Sequence, residues 1–303
     1  MSWFWLSLIA LLCWSGSDLF SKIGCRDAKD RYGYLKMVIA VGVVMGLHAA
    51  YEIFIGGVEI TLSVMLTYLP VSLLYIGSMA LGYLGLRYIE LSISSPICNA
   101  SGALVAVLAL ITGGLGELQL AVLPAVALIC LGVIGLGVVE AHEDEGLRAA
   151  RQERGNYKYA KSYLALLLPL LYCALDALGT FADSLVLEKL NEDSANVAYE
   201  LTFLLAGLFC FIYVVLIKKQ RLLPRAELPK YTGAVFETAG QFAYIYAIAD
   251  SEHLVLAAPM ISAYCAVSVL WSRLFLKEKL SFKHYICIFA VIVGIVILGI
   301  CDV

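Results

Sequence analysis

The chain has 303 residues, of which 62% are hydrophobic and 15% charged, whereas soluble domains are nearer half apolar, so a soluble globular domain is excluded. The formal net charge of −3 says little by itself, and no nucleic-acid partner is expected. The charges cluster, and between the clusters lie apolar runs of about 18–25 residues, each long enough to cross a bilayer as a helix.

Ten such runs follow one another, at roughly 3–23, 34–55, 64–88, 94–112, 120–140, 162–187, 197–217, 230–249, 253–275 and 284–301. None alternates as a membrane β-barrel strand does. The expected fold is an all-α polytopic membrane protein with ten transmembrane helices. The opening "MSWFWLSLIALLCWSGS" has no basic n-region, so 3–23 reads as a retained first span and not a cleaved signal peptide.

Taken in order, the spans carry polar groups at helical spacing, where i, i+4 and i+7 share a face. Span one has Trp14, Asp18 and Ser21. His48 and Glu52 close span two and Glu200 opens span seven; all three read as peripheral. Asn99 lies early in span four. Span six, within "LYCALDALGTFADSLVLEKL", has Asp176, Thr180 and Asp183. Span eight has Glu237, Gln241 and Tyr244, and span nine has Tyr264, Ser268 and Trp271. The nine cysteines show no C-x-x-C spacing, so neither a disulfide framework nor a metal site is expected, and no cofactor.

Lys and Arg fall unevenly. With ten spans, the stretches 22–36, 148–161, 218–230 and 273–283, together with Arg87, lie on one side and hold twenty of the 21; the other side has Lys189 alone. By the positive-inside rule the rich side is cytoplasmic, which leaves both termini outside. The expected location is the plasma membrane.

Two stretches look alike. "YLGLRYIELSISSP" (83–96) and "YAIADSEHLVLAAP" (246–259) are each fourteen residues, from Tyr to a Pro that leads a span. Glu117 follows Pro96 in "GGLGELQL" and Glu278 follows Pro259 in "FLKEKLSF"; both read as turn or cap residues. Each precedes a glycine-punctuated last span, "GVIGLGVV" (132–139) and "GIVILGIC" (294–301). The chain thus reads as two five-helix repeats, 1–140 and 162–303, joined by a polar linker at 141–161. Five is odd, so the second repeat is inverted, a common build for secondary transporters with a midplane site.

This layout, with "LLCWSGSDLFSKIG" in span one, a Pro-led span four and a Glu before a Gly-rich span five, resembles the drug/metabolite transporter superfamily, in its EamA-like branch. The resemblance covers nearly the whole chain. It implies transport through a central cavity lined by spans one, three, four, six, eight and nine, with five and ten as scaffold. One departure is the loop "GGVEITLS", which has no Lys or Arg where many bacterial relatives carry a basic loop.

The polar stripes fall on spans that the resemblance assigns to the cavity. The deep charges are Asp18, Asp176, Asp183 and Glu237, whereas Lys22, Arg87, Lys189 and Arg273 sit near span ends where they can snorkel. Alternatively, Asp18 pairs with Lys22 at i+4, and Asp183 ends span six in water. Carboxylates with Trp and Tyr suit an organic cation; a phosphate-bearing anion would want Arg or Lys. The expected substrate site is Trp14, Asp18, Asn99, Asp176, Thr180, Asp183, Glu237, Gln241, Tyr244, Tyr264 and Trp271, with Asp183 the less central carboxylate. The expected function is secondary transport, not enzyme catalysis, of a small organic solute, amine-bearing or cationic. No ATP-binding loop is seen, and a membrane Asp or Glu can carry a coupling proton. A zwitterionic amino-acid exporter is the alternative within transport; a non-transporting receptor or an intramembrane enzyme is the alternative outside it. The partners are the solute and the lipid bilayer, with a homodimer left open.

Overall fold

A bilayer core offers no water to unpaired backbone groups, so each apolar run must satisfy its own N–H and C=O groups as a helix. In the computed structural model every expected span is helical. The structure describes residues 2–27, 30–89, 91–113, 117–141, 163–249, 253–278 and 280–301. The linker expected at 141–161 lies outside them but for Ala141, which ends the helix of span five.

Span one is Trp3–Cys25, span two Gly33–Phe54 and span three Leu62–Tyr88. Span four is two helices, Leu91–Asn99 and Ser101–Gly113, and span five is Glu117–Ala141. Span six is Tyr163–Leu187, and span seven is Glu192–Phe211 continued by a π-helical Ile212–Ile217. Span eight is Pro224–Ile248. Span nine is Leu254–Ser262, Tyr264–Trp271 and a π-helical Ser272–Leu276, and span ten is Phe282–Cys301.

Among the described residues, seven of these rods are long and apolar enough to cross a membrane by length and composition. Spans five and ten have shorter apolar cores, Leu123–Val139 and Phe282–Leu298. Span eight owes its lower hydropathy to Glu227, Lys230, Glu237 and Gln241. Large apolar side chains such as Phe54, Ile111, Phe209 and Phe289 are exposed on the outer face, where lipid would cover them.

Spans four and nine are broken alike. Each contains a proline, Pro96 or Pro259, whose ring disturbs the α pattern. Four residues on, the bonding tightens to the i−3 type: Ala100 N–H reaches the Ile97 carbonyl at 3.4 Å and Ala103 N–H the Ala100 carbonyl at 3.2 Å. In span nine Ala263 N–H reaches the Met260 carbonyl at 3.2 Å and Ala266 N–H the Ala263 carbonyl at 3.0 Å.

The packing pairs span one with eight, three with six, two with seven, four with nine and five with ten. Glycines set the closest approaches. A Cβ on Gly42 would stand 3.1 Å from Gly207 Cα, and one on Gly207 would stand 3.2 Å from Gly42 Cα. Where spans five and ten cross, a Cβ on Gly132 would meet the Cys287 carbonyl oxygen at 2.9 Å, and one on Gly294 the Ala125 carbonyl oxygen at 2.8 Å. Small residues at such crossings let helices gain close contact where lipid supplies no hydrophobic drive.

Gly132→Val should therefore force spans five and ten apart and cost about 1–3 kcal/mol by overpacking. In detergent it should lower the melting temperature measurably. Gly77→Ala, whose Cβ meets only Leu175 at 3.7 Å, should not.

Candidate functional site

Asp176 and Glu237 are each the fourteenth residue of a 25-residue helix, counting from Tyr163 and from Pro224, so both lie halfway along their rods. They face one internal cavity, with about 70 Å³ of space open to the centres of water molecules. That is room for a few waters or one small solute. Its wall comes from spans one, three, four, six, seven, eight and nine; no described residue of spans five or ten belongs to it.

Three carboxyl groups share this wall: Asp18, Asp176 and Glu237. Serine hydroxyls from neighbouring spans hold each of them. Asp18 accepts from Ser95 and, at 2.8 Å, from Ser268. Asp176 accepts from Ser101 at 2.7 Å and Glu237 from Ser17 at 2.7 Å. Asn99 donates to the Ser95 carbonyl at 2.8 Å and steadies that serine. The alternative pairing of Asp18 with Lys22 does not occur, and no Lys or Arg belongs to the wall among the described residues. A carboxylate away from water and without a cation is costly unless a proton or a ligand neutralises it.

Aromatic rings complete the wall. Trp14 lies 5.0 Å from the Tyr244 ring and 5.8 Å from the Tyr264 ring, centroid to centroid. The Tyr244 hydroxyl bonds that of Tyr75 and donates to Thr180 at 3.1 Å. Gln241 and Tyr83 line the same cavity and are 3% and 5% exposed; the amide nitrogen of the one and the hydroxyl of the other have no partner among the described residues.

Two of the eleven expected site residues stand outside the wall. Asp183, expected beside water near the end of span six, is fully buried behind it. Tyr68 donates to it at 2.7 Å and Tyr75 at 3.3 Å, because span three packs along span six and covers that stripe. Trp271 donates to the Ser15 hydroxyl at 3.2 Å and packs on Phe275. The structure adds wall residues that the sequence reading did not single out: Tyr75, Tyr83, Tyr172 and Tyr199, with Ser17, Ser95 and Ser101. Four tyrosines in spans three, six and seven were the available signal, although tyrosine also serves interfaces and packing.

One further expectation needs correction. Lys22 does not snorkel: it is 1% exposed, and its ammonium donates to the Leu86 and Ile89 carbonyls at 2.8 and 2.6 Å, capping the end of span three. His48, Glu52 and Glu200, read as peripheral, are outside the cavity wall; Glu200 is nonetheless fully buried, accepting from Asn196 at 3.2 Å and lying 2.8 Å from His48 Nδ1. Glu278 does cap a helix; its carboxylate accepts the Ser92 N–H of span four at 3.3 Å. The side chain of Glu117 lies outside the described residues.

At the end of the cavity marked by Ser21 and Leu86, buried ion pairs close the rods together. Lys36 lies 3.0 Å from Asp30 and 3.3 Å from Glu227, and Lys230 lies 2.8 Å from Glu227. Arg87 donates to the Asp30 carbonyl at 2.9 Å.

Residues 163–300 match the model of the EamA-like transporter family. No curated protein matches the chain. A protein solved by crystallography shares its fold, with a TM-score of 0.64 over 98% of this chain and 96% of the other at 12% identity.

Asp183→Ala should leave the Tyr68 hydroxyl without its buried acceptor, whereas Tyr75 keeps Thr180 and Tyr244. The expected loss is about 1–3 kcal/mol of stability, read as a lower melting temperature, whereas Trp271→Phe should change it little.

Proposed function

We propose that this chain, whose residues 163–300 match the model of the EamA-like transporter family, is a member of that family within the drug/metabolite transporter superfamily and a secondary transporter for a small organic cation, an amine. The observation that carries this reading is an internal cavity, midway along the helices, with three carboxyl groups, Asp18, Asp176 and Glu237, and no Lys or Arg in its described wall. An ammonium group gains from both the carboxylates and the faces of Trp14, Tyr244 and Tyr264. A zwitterionic solute is the weaker reading, because its carboxylate would meet like charge and no cation.

Alternating access follows from a two-fold build. The repeats are taken as related by a pseudo-two-fold axis in the membrane plane. Exchanging them turns the one–eight pairing into six–three and leaves two–seven, four–nine and five–ten unchanged, as the observed packing has it. Pro96 and Pro259, and the breaks at Ala100 and Ala263, are both 163 positions apart (259 − 96 and 263 − 100). The halves would rock about this axis, opening and closing the ion-paired end formed by Asp30, Lys36, Glu227 and Lys230. Protons are the natural coupling ion, since proton and amine can neutralise the same carboxyl groups in turn.

Asp176→Asn keeps the shape and removes the charge. It should fold normally yet lose a charge-assisted contact worth roughly 1.5–3 kcal/mol, a fall in amine affinity of about tenfold to more than a hundredfold. Glu237→Gln should do the same. In liposomes, amine movement driven by an imposed pH gradient should vanish in both variants. Wild-type affinity and transport in both would end the cation reading.

The basic side is proposed as cytoplasmic. An epitope inserted after Gln220 should be hidden from antibody outside intact cells, and one inserted after Lys189 should be reached. The opposite pattern would reverse the orientation.

A further inference from the structure

Most polar groups of the cavity wall bond within the protein: Asn99, Thr180, Tyr75 and Tyr244 all have partners. The Gln241 amide nitrogen and the Tyr83 hydroxyl have none among the described residues, although both residues are more than nine-tenths buried. An unmade bond at a buried donor is expensive, and leucine or phenylalanine would fill the same volume without that cost. Gln241 lies one turn beyond Glu237, on the same face of span eight. A donor aimed at nothing therefore adjoins a carboxyl group aimed at nothing basic.

We infer that the substrate presents a neutral hydrogen-bond acceptor close to its ammonium group, received by Gln241 and Tyr83, so that the site takes a small amino alcohol or amino amide in preference to a plain alkylamine or an amino acid. The inference rests on the cation reading above and narrows it. The ammonium answers the carboxyl groups, and the acceptor answers the two unpartnered donors. A neutral acceptor is required, because a carboxylate in its place would stand among Asp18, Asp176 and Glu237 with no Lys or Arg among the described residues of the wall. The small cavity favours a solute of a few heavy atoms.

The test is isothermal titration of the purified full chain with 3-amino-1-propanol, n-butylammonium and 3-aminopropanoate. The first two have the same number of heavy atoms and differ in one hydroxyl. The amino alcohol should bind about tenfold more tightly than butylammonium, the worth of a recovered buried hydrogen bond, and more tightly than the zwitterion. In Gln241→Leu and in Tyr83→Phe the ratio between the two amines should fall toward one. The melting temperature of the ligand-free protein should hold or rise, because each substitution removes an unpartnered polar group. That rise sets a binding role apart from a structural one, which would lower it. Equal affinity for the two amines in the wild type, or a preference that survives in both variants, overturns the acceptor inference and leaves the cation reading standing. Tightest binding of 3-aminopropanoate overturns the neutral acceptor, and binding of neither amine takes down both readings.

Discussion

Acidic groups without a counter-charge in the described wall, held midway along their helices by hydroxyl groups, are the constraint on which the rest of the molecule depends. A single charged side chain at the centre of a bilayer costs roughly 3 kcal/mol on insertion scales, and here three acidic side chains share one cavity. Serine donors relieve part of that cost and supply no positive charge. They also come from other rods: Ser95 and Ser268 reach Asp18 from spans four and nine, Ser101 reaches Asp176 from span four, and Ser17 reaches Glu237 from span one. The carboxyl groups are thus satisfied only when these spans are packed in register. The helix breaks at Ala100 and Ala263 lie next to this junction, and the close crossing of Gly102 over Ser262 brings spans four and nine into it.

The helical layout was legible because apolar length and charge clustering read directly as spans, and Pro96 and Pro259 marked the two broken helices. Asp18, Asp176 and Glu237 were legible for a simpler reason: a carboxylate inside an apolar run needs an explanation, and few are available. Their partners were not. Serine is common in membrane helices as a small packing residue, so nothing in the text of Ser17, Ser95 or Ser101 tells a donor from a spacer. Tyr75 and Tyr83 were hidden in the same way. Asp183 was misplaced because its environment is made by Tyr68, 115 residues away in sequence; spacing along span six puts it on the cavity stripe but cannot show that span three covers it. Lys22 was misread because snorkelling assumes an open span end, whereas the end of span three turns its free carbonyls toward it.

The distribution of charge along the molecule separates two tasks. At the closed end, Lys36 and Lys230 meet Asp30 and Glu227, so the charges are matched within the protein. In the cavity they are not matched. Separating a buried pair is costly, about 3–5 kcal/mol where one partner is lost altogether, so under the proposed cycle this end would open only when something elsewhere offsets the cost. Span one connects the two regions. Its Asp18 is bound to spans four and nine, and one turn further its Lys22 is bound to the end of span three. In that proposed cycle, a cation that neutralises the cavity would weaken the hold of Ser268, from span nine, on Asp18 and ease the rocking of one half against the other. Under the proposed cycle, the cavity's lack of a counter-charge and the closed end's full complement of them are two parts of one device: the substrate supplies in the middle the charge whose absence helps keep the end closed.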